Sequence, residues 1–558
     1  MGTTHRWAIT GLLLPLACVV GTRPGGSSDG MGAEDTGGQS SDGGESTGGI
    51  GSDADSSTSA EPSDGSTDDS TTGTDDPPPV VGGDFVLVPE TDHGIDGFYL
   101  GAVDVADFDG DGRTDVVVSA SWDNAFTPDF SNLSCEHRIR IYRNVSEDGG
   151  AIAFELADEL PVVGCGSSVV RTGDFDGDGL ADFGVQFRLT AGDGSGTTAG
   201  FFGGGDLTFE RIPLGDFDHG NGSMGMDAVD IDDDGRDELV FLSSAPGLWH
   251  DFDPNAGTWV AMQTGFNHAI TYGGALTTGD LDGDGRPELY VAGNAIEPFG
   301  NLDCSADPNN LMYAQVHRNT GGAYDPNPTP LVGDFPWGPD DGALPPYDPG
   351  TAYACAGSDN AGALIADLDA DGLGDIVVAG SATFFGLPVY EDGELLLNGA
   401  QYDFGVLFND GDFEFSAWER VGEQDPIGGT TNSGTGNVDQ PNIAVGDLNG
   451  DGYPEIFAQG HHRDIFCRES PEPCFSHYIF TTMLVKNEGD RTFSDAGMGL
   501  PHVGEGGQVI ADFNGDGRPD LLYGGATLPF HSNGANPDDL NTPDTLAAYV
   551  YRNETPAE

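Results

Sequence analysis

The sequence predicts an all-β fold, a seven-bladed β-propeller standing behind a disordered linker. Three observations lead there. A nine-residue acidic pattern recurs seven times, each copy runs into a short apolar strand, and the stretch ahead of the first copy is too polar to build a core.

The pattern is Asp-x-Asp/Asn-x-Asp-Gly-x-x-Asp/Glu, with copies beginning at Asp107, Asp174, Asp230, Asp280, Asp367, Asp447 and Asp512. A hard cation takes about six or seven oxygens at roughly 2.3–2.6 Å, and side chains alternating inward along a tight turn supply them. The side-chain ligands expected at positions one, three, five and nine are Asp107, Asp109, Asp111 and Asp115 in the first copy, and Asp174, Asp176, Asp178 and Asp182 in the second. They are Asp230, Asp232, Asp234 and Glu238 in the third, Asp280, Asp282, Asp284 and Glu288 in the fourth, and Asp367, Asp369, Asp371 and Asp375 in the fifth. The sixth offers Asp447, Asn449, Asp451 and Glu455, and the seventh Asp512, Asn514, Asp516 and Asp520. The residue at position seven, Arg113, Leu180, Arg236, Arg286, Leu373, Tyr453 or Arg518, offers its backbone carbonyl. Glycine at position six permits the sharp turn that a Cβ would hinder. The ion expected is calcium, up to seven per chain, because magnesium prefers a smaller octahedral shell that keeps several waters.

A helical EF-hand shares the first half of this pattern but needs a bidentate Glu at position twelve and helices on both sides. Here position twelve is Val118, Val185, Phe241, Val291, Val378, Ala458 or Tyr523. Each turn leads into a run such as Val116-Val117-Val118 or Ile376-Val377-Val378, which reads as a buried strand, so the turn joins two strands. Downstream in most units come an aromatic strand ending in Asn, a Gly-containing turn and another strand with Phe, as at Ile139 to Asn144, Val406 to Phe415 and Met483 to Phe493. Each unit thus supplies four short strands, the content of one blade. On these motifs the chain resembles, from about Gly83 to Asn553, the FG-GAP or VCBS repeat family, which includes the integrin alpha-chain propeller.

Copies start 67, 56, 50, 87, 80 and 65 residues apart, so some loops carry insertions. The last unit ends after its third strand, at Ala547 to Asn553, while Asp84-Phe85-Val86-Leu87-Val88 precedes the first unit as an orphan strand. That strand is expected to complete the final blade and remove the exposed edge.

Of 558 residues, 94 are Asp or Glu and 19 are Lys or Arg, a formal net charge of -75. Nucleic acid is excluded as a partner, since affinity for phosphates rests on clustered cations. An anionic membrane surface repels such a chain. Lys486 is the only lysine, so no phosphate-cradling Walker loop exists elsewhere. Residues 1–18 carry Arg6, then an apolar run from Trp7 through Ala17, and read as a secretory signal. Their end, Pro15-Leu16-Ala17-Cys18, resembles the lipobox of bacterial lipoproteins, with Pro15 departing from the usual leucine; the resemblance implies lipidation at Cys18. Residues 19–82, almost wholly Gly, Ser, Thr and Asp, are expected to be a disordered tether, and 83–558 the propeller. The expected location is outside the cell, with a lipid anchor as the sole link to the envelope or outer membrane.

Six further cysteines suit an exported protein, and sequence proximity suggests Cys135 with Cys165, Cys304 with Cys355, and Cys467 with Cys474, among fifteen arrangements open to six thiols. In a four-stranded blade the acidic turns, between first and second strands, lie on one rim. Turns from second to third strand, and from fourth to the next first, lie on the other. All six cysteines and the long insertions, Ser121 to Arg138, Asn294 to Tyr313, Gly321 to Gly362, Gly460 to Tyr478 and Gly524 to Asn541, fall in that second class. Binding residues usually sit on loops held by a rigid frame.

Two clusters on that rim are candidates for ligand binding. His461, His462, Arg463 and Asp464, expected on a loop, suit a transition metal, an acidic sugar or acid-base chemistry; they equally suit a polar surface loop. Trp337 and Tyr347, with Phe335, Asp340, Asp341 and Tyr353, suit stacking on sugar rings, or a loop packing its own small core. The chain lacks His-Glu-x-x-His and Gly-x-Ser-x-Gly, and no dinucleotide fingerprint stands in strand-to-helix context. The function expected is recognition of an extracellular glycan or protein through the stapled loops, with no catalytic residue assigned. The alternative is an extracellular polysaccharide lyase or hydrolase using His461, His462 and nearby carboxylates.

Overall fold

The computed structural model describes residues 79–122, 137–161, 164–190, 198–214, 225–241, 248–262, 270–295, 312–326, 329–330, 356–384, 389–391, 394–397, 400–416, 419–421, 443–467, 474–527, 531–532 and 546–556. Every regular element among them is a β-strand. Seven four-stranded antiparallel sheets succeed one another along the chain, as the acidic repeat requires.

Blade 1 is Tyr99–Ala106, Asp115–Ser121, His137–Asn144 and Phe154–Pro161, and blade 2 is Gly164–Gly173, Asp182–Thr190, Thr198–Gly203 and Phe209–Pro213. Blade 3 is Met226–Val229, Glu238–Phe241, Leu248–Asp253 and Thr258–Met262; blade 4 is Ile270–Gly279, Glu288–Ala295, Met312–His317 and Thr329–Pro330. Blade 5 is Ala356–Ala366, Asp375–Phe384, Ala400–Leu407 and Glu419–Arg420; blade 6 is Ile443–Gly446, Glu455–Cys467, Cys474–Asn487 and Phe493–Asp495. Blade 7 takes Gly504–Ala511, Asp520–Ala526 and Leu546–Asn553 from the C-terminal end and Phe85–Pro89 from the N-terminal end.

The first strand of each blade packs against the first strand of the next, and that of blade 7 returns to that of blade 1, so the ring is closed. Side chains on these inner strands reach across seams. Asp104 Oδ2 accepts from Thr172 N at 2.8 Å, and Asp227 Oδ2 accepts from Thr278 N at 2.8 Å. Five first strands shift register near their start, where an extra residue interrupts the ladder. Within the bulge of blade 7 a Cβ on Gly506 would meet Gly524 O at 1.7 Å, so only glycine fits there.

The orphan strand closes the ring as expected. Leu87 pairs with Asn553, Val88 with Arg552 and Pro89 with Tyr551, while Val86 O accepts from Glu554 N at 2.9 Å. Phe85 and Leu87 are fully buried in a core with Leu448, Leu521, Tyr523 and Tyr551, which spans blades 6 and 7. The sheet also begins earlier than the sequence suggested: Val80–Gly82, within the stretch assigned to the linker, pairs with Phe85–Leu87 as a fifth, outermost strand. Its apolar Val80 packs on the same core, which is why the strand forms in spite of its polar neighbours.

Each acidic turn joins the first and second strands of its blade. Antiparallel order therefore puts all seven turns on one rim and sends the 123–136, 296–311, 331–355, 422–442 and 533–545 connections from the other. The 389–397 insertion in blade 5 forms a small hairpin, Val389–Glu391 with Glu394–Leu397. Among the described residues, no helix is long and apolar enough to cross a membrane.

Because Phe85 fills the seam between the last two blades, Phe85→Ala is expected to lower unfolding stability by about 3–5 kcal/mol, read by denaturant titration. A loss below ~1 kcal/mol would show that the N-terminal strand does not help close the ring.

Candidate metal centres

All seven turns share one geometry. The position-six glycines hold φ between 84° and 91°, the left-handed region expected of them. Position four is left-handed as well: Gly110, Gly177, Gly283, Gly450 and Gly515, but also Asp233 and Ala370, with φ of 60–76°. Glycine at five of those seven places was a signal in the sequence that carried no reading.

Each carboxylate is aimed by the backbone of its own turn. The position-one Asp accepts the position-six N–H at 2.8–3.0 Å in every blade. The position-five Asp accepts the position-seven N–H at 2.8–3.0 Å in every blade. Carboxylate oxygens of Asp107, Asp109 and Asp115 lie within 4.8 Å of one another, as do those of Asp174, Asp176 and Asp182, and of Asp280, Asp282 and Glu288. Asp230, Asp232 and Asp234 form a fourth such group, and Asp367, Asp369 and Asp371 a fifth. Asn449 and Asn514 replace one carboxylate in the turns of blades 6 and 7. Oxygen-only clusters of like charge fit a hard dication.

The position-nine carboxyl does more than border the cluster. In every blade one of its oxygens accepts the N–H of the position-two residue, at 2.7–3.1 Å. The other accepts a backbone N–H from the end of the third strand: Asn144, Gly203, Asn319, Asn409 or Asn553. In blades 3 and 6 that second oxygen, Glu238 Oε1 or Glu455 Oε1, is buried with no hydrogen bond among the described residues. Burial, partly offset by these N–H donors, pushes Asp115 up to about 6, Asp182, Glu288, Asp375 and Asp520 to about 7, and Glu238 and Glu455 to about 8. A dication beside them would favour the ionised form and offset that cost.

The sequence reading missed the position-two residue. Phe108, Phe175, Ile231, Leu281, Leu368, Leu448 and Phe513 are at most 2% exposed, and each lies in a core shared with the next blade. Phe108, for example, meets Phe183 and Phe209 of blade 2 edge-on at 6.0 and 5.4 Å. The carbonyl of the same residue accepts the side-chain amide of the next blade's Asn in five seams. The pairs are Asn144 to Phe513, Asn319 to Ile231, Asn409 to Leu281, Asn487 to Leu368 and Asn553 to Leu448, at 2.6–2.9 Å. A large apolar residue at position two of every copy was the legible signal.

Two seams depart from this rule, the first for a steric reason. Gly203 takes the Asn place in blade 2, where a Cβ would meet Ala181 O at 2.5 Å. Phe252 takes it in blade 3 and packs on Phe202 and Trp259 instead. There Asp237 supplies the link, accepting Asp174 N at 2.8 Å and donating its own N–H to Asp174 O at 2.9 Å.

The scarce cations gather at these turns. Arg143 pairs with Asp109 at 2.6 Å, Arg318 with Asp282 at 3.6 Å, and Arg518 with Asp516 at 2.6 Å. Arg491 crosses from blade 6 to Asp369 at 2.6 Å, and Arg286 from blade 4 to Asp233 at 3.1 Å. Lys486 meets Asp84 of the closing segment at 2.6 Å. Such half-exposed pairs contribute about 0–1 kcal/mol each, so their effect is to lower local repulsion more than to hold the fold.

The candidate loop residues fall differently. His461, His462, Arg463 and Asp464 lie within the second strand of blade 6, not on a loop, because that strand continues to Cys467. Cys467 and Cys474 are register partners at the hairpin end, and Cys165 lies in the first strand of blade 2. Cys18, Cys135, Cys304, Cys355, Trp337 and Tyr347 lie outside the described residues.

Residues 230–291, from the acidic turn of blade 3 through that of blade 4, match the FG-GAP-like repeat family. No curated protein sequence matches the chain. Among solved structures it is similar to the Vibrio cholerae biofilm matrix protein Bap1, at 13% identity and TM-score 0.28, over 82% of this chain and 88% of that one. It is similar to a Dyadobacter fermentans protein of unknown function at 11% and 0.30, over 83% and 97%, and to a Bacillus licheniformis GH43 protein at 9% and 0.27, over 82% and 89%. Overlaps this loose have no bearing on function.

Asn553→Ala removes the donor to two carbonyls, Leu448 O and Pro519 O. The expected cost is about 1–3 kcal/mol of unfolding free energy. An unchanged denaturation midpoint would show that the Asn joint does not hold the seam.

Proposed function

We propose that this propeller is a calcium-stabilised extracellular binding or adhesion protein that takes a glycan or protein partner through the rim opposite its acidic turns. The observation that carries the reading is topological. Seven near-identical turns occupy one rim, while the long connections leave from the other, a division suited to a metal-braced frame that presents variable loops.

Calcium is the ion we assign to the turns, because an all-oxygen set of three or four carboxylates or amides plus one carbonyl suits its larger, flexible shell. Asp107, Asp109, Asp111, Arg113 O and Asp115 would hold it in blade 1, and the corresponding residues in the other six. At affinities near ~10⁻⁴ to 10⁻³ M, millimolar calcium adds roughly 0.4 to 1.4 kcal/mol per turn. Seven such contributions weigh heavily against a net stability of about 5–15 kcal/mol.

The signal-like residues 1–18 and the polar tether support display outside the cell on a lipid at Cys18. A Cys467–Cys474 disulfide would pin the long hairpin of blade 6, since antiparallel register partners stand about 4.5–5.5 Å apart at Cα, within the range a disulfide spans.

The test is a glycan array and a cell-surface binding assay, run in millimolar calcium and again after chelation, with melting temperature followed in parallel. Calcium-dependent melting together with retained glycan or surface ligands is the expected result. Depolymerisation of polysaccharides by the same protein would replace binding with catalysis, and melting indifferent to chelation would remove calcium from the account. Mass mapping without reduction, on protein from its native membrane fraction, is expected to find Cys467 joined to Cys474 and Cys18 lipidated.

A further inference from the structure

The middle hairpin of blade 6 outgrows its sheet. Strands Glu455–Cys467 and Cys474–Asn487 stay in register from Ile456↔Val485 to Cys467↔Cys474, whereas the matching hairpin of blade 1 pairs from Val116↔Tyr142 to Ser121↔His137. A third strand, His531–Ser532, comes from the connection between the second and third strands of blade 7 and pairs with Ser476 and His477. The extension lies on the rim opposite the acidic turns.

Register then lines up three residues in one row across three strands: Asp464 opposes His477, and His477 opposes His531. Alternation along a strand places His462, two residues from Asp464, on the same face. One face of this platform thus collects three histidines and an aspartate, in a chain with only 12 histidines. Directly opposed residues are about 4.5–5.5 Å apart at Cα, and residues two apart on a strand about 6.5–7 Å. Those backbone spacings bring four residues of metal-binding type to one patch of a single sheet face. The same alternation assigns His461, and Cys467 with its partner Cys474, to the opposite face.

We propose that His462, Asp464, His477 and His531 form a binding site for one zinc-class transition dication. Imidazole nitrogen selects a first-row transition metal over calcium, so this centre and the oxygen-only turns draw on different ions. The metal would tie the blade 7 insertion to the blade 6 hairpin on the rim that carries the insertions. The inference does not depend on calcium filling the turns.

The experiment uses the full chain without a histidine tag, stripped with chelator and returned to millimolar calcium. Zinc is titrated against a chromophoric competitor, and cobalt is substituted to read a tetrahedral visible spectrum. One zinc per chain is expected in the presence of calcium. His477→Ala and His531→Ala should each weaken zinc by at least ~10-fold. His461→Ala should leave it unchanged, and the parent's cooperative melting should persist in all three, which separates loss of the site from loss of the fold. Zinc held no more tightly by the parent than by His477→Ala would overturn the proposal. So would loss on His461→Ala, since that would put the metal on the other face.

Discussion

One residue per blade, the apolar second residue of each acidic turn, is held from three directions, and the ring is built around that grip. Its N–H enters the position-nine carboxyl of its own blade, its side chain enters the core of the next, and in five seams its carbonyl takes the next blade's Asn. Leu448 has all three: Glu455 Oε2 at 2.8 Å, the blade 7 core, and Asn553 Nδ2 at 2.7 Å. A turn that misfolds therefore disturbs two blades at once. The hydrophobic part of this grip contributes about 1.5–3 kcal/mol per wedge, and the hydrogen bonds fix where the wedge goes.

The acidic turns consequently belong to the blade-to-blade joint as much as to any metal. Carboxylates buried beside one another are unfavourable, and the raised proton affinity of all seven position-nine groups records that strain. The chain answers with backbone N–H donors and with several of its few arginines, yet Glu238 and Glu455 each keep one buried oxygen without a donor among the described residues. A dication bound at the turn would meet the remaining demand and would tie each joint to ion concentration. In a protein with a net charge of -75, ions and folding are one problem.

Much of this frame was legible in the sequence, because the repeat imposes it. Spacing of Asp107, Asp109, Asp111 and Asp115 dictated a turn between strands, and the surplus strand near Phe85 against a final blade lacking its fourth strand dictated closure. The Asn at the end of strand three was visible as a pattern at Asn144 and Asn487. Its role was not, since its partner is a carbonyl in the preceding blade, 119 residues away in the case of Leu368. His461 to Asp464 read as a loop because polar residues at that place interrupt the apolar pattern; cross-strand pairing with Phe480 to His477 overrides that local preference. The row Asp464, His477 and His531 was illegible for a similar reason, since register is a property of pairing and not of spacing along the chain.

Amide hydrogen exchange at the seven position-two residues, Phe108, Phe175, Ile231, Leu281, Leu368, Leu448 and Phe513, measures the grip most directly. If these residues lock the ring, their amides exchange only on global unfolding, among the slowest in the chain, and chelation accelerates all seven together. Seven amides that each exchange at the pace of their surrounding turn, independently and without response to chelation, would contradict the account.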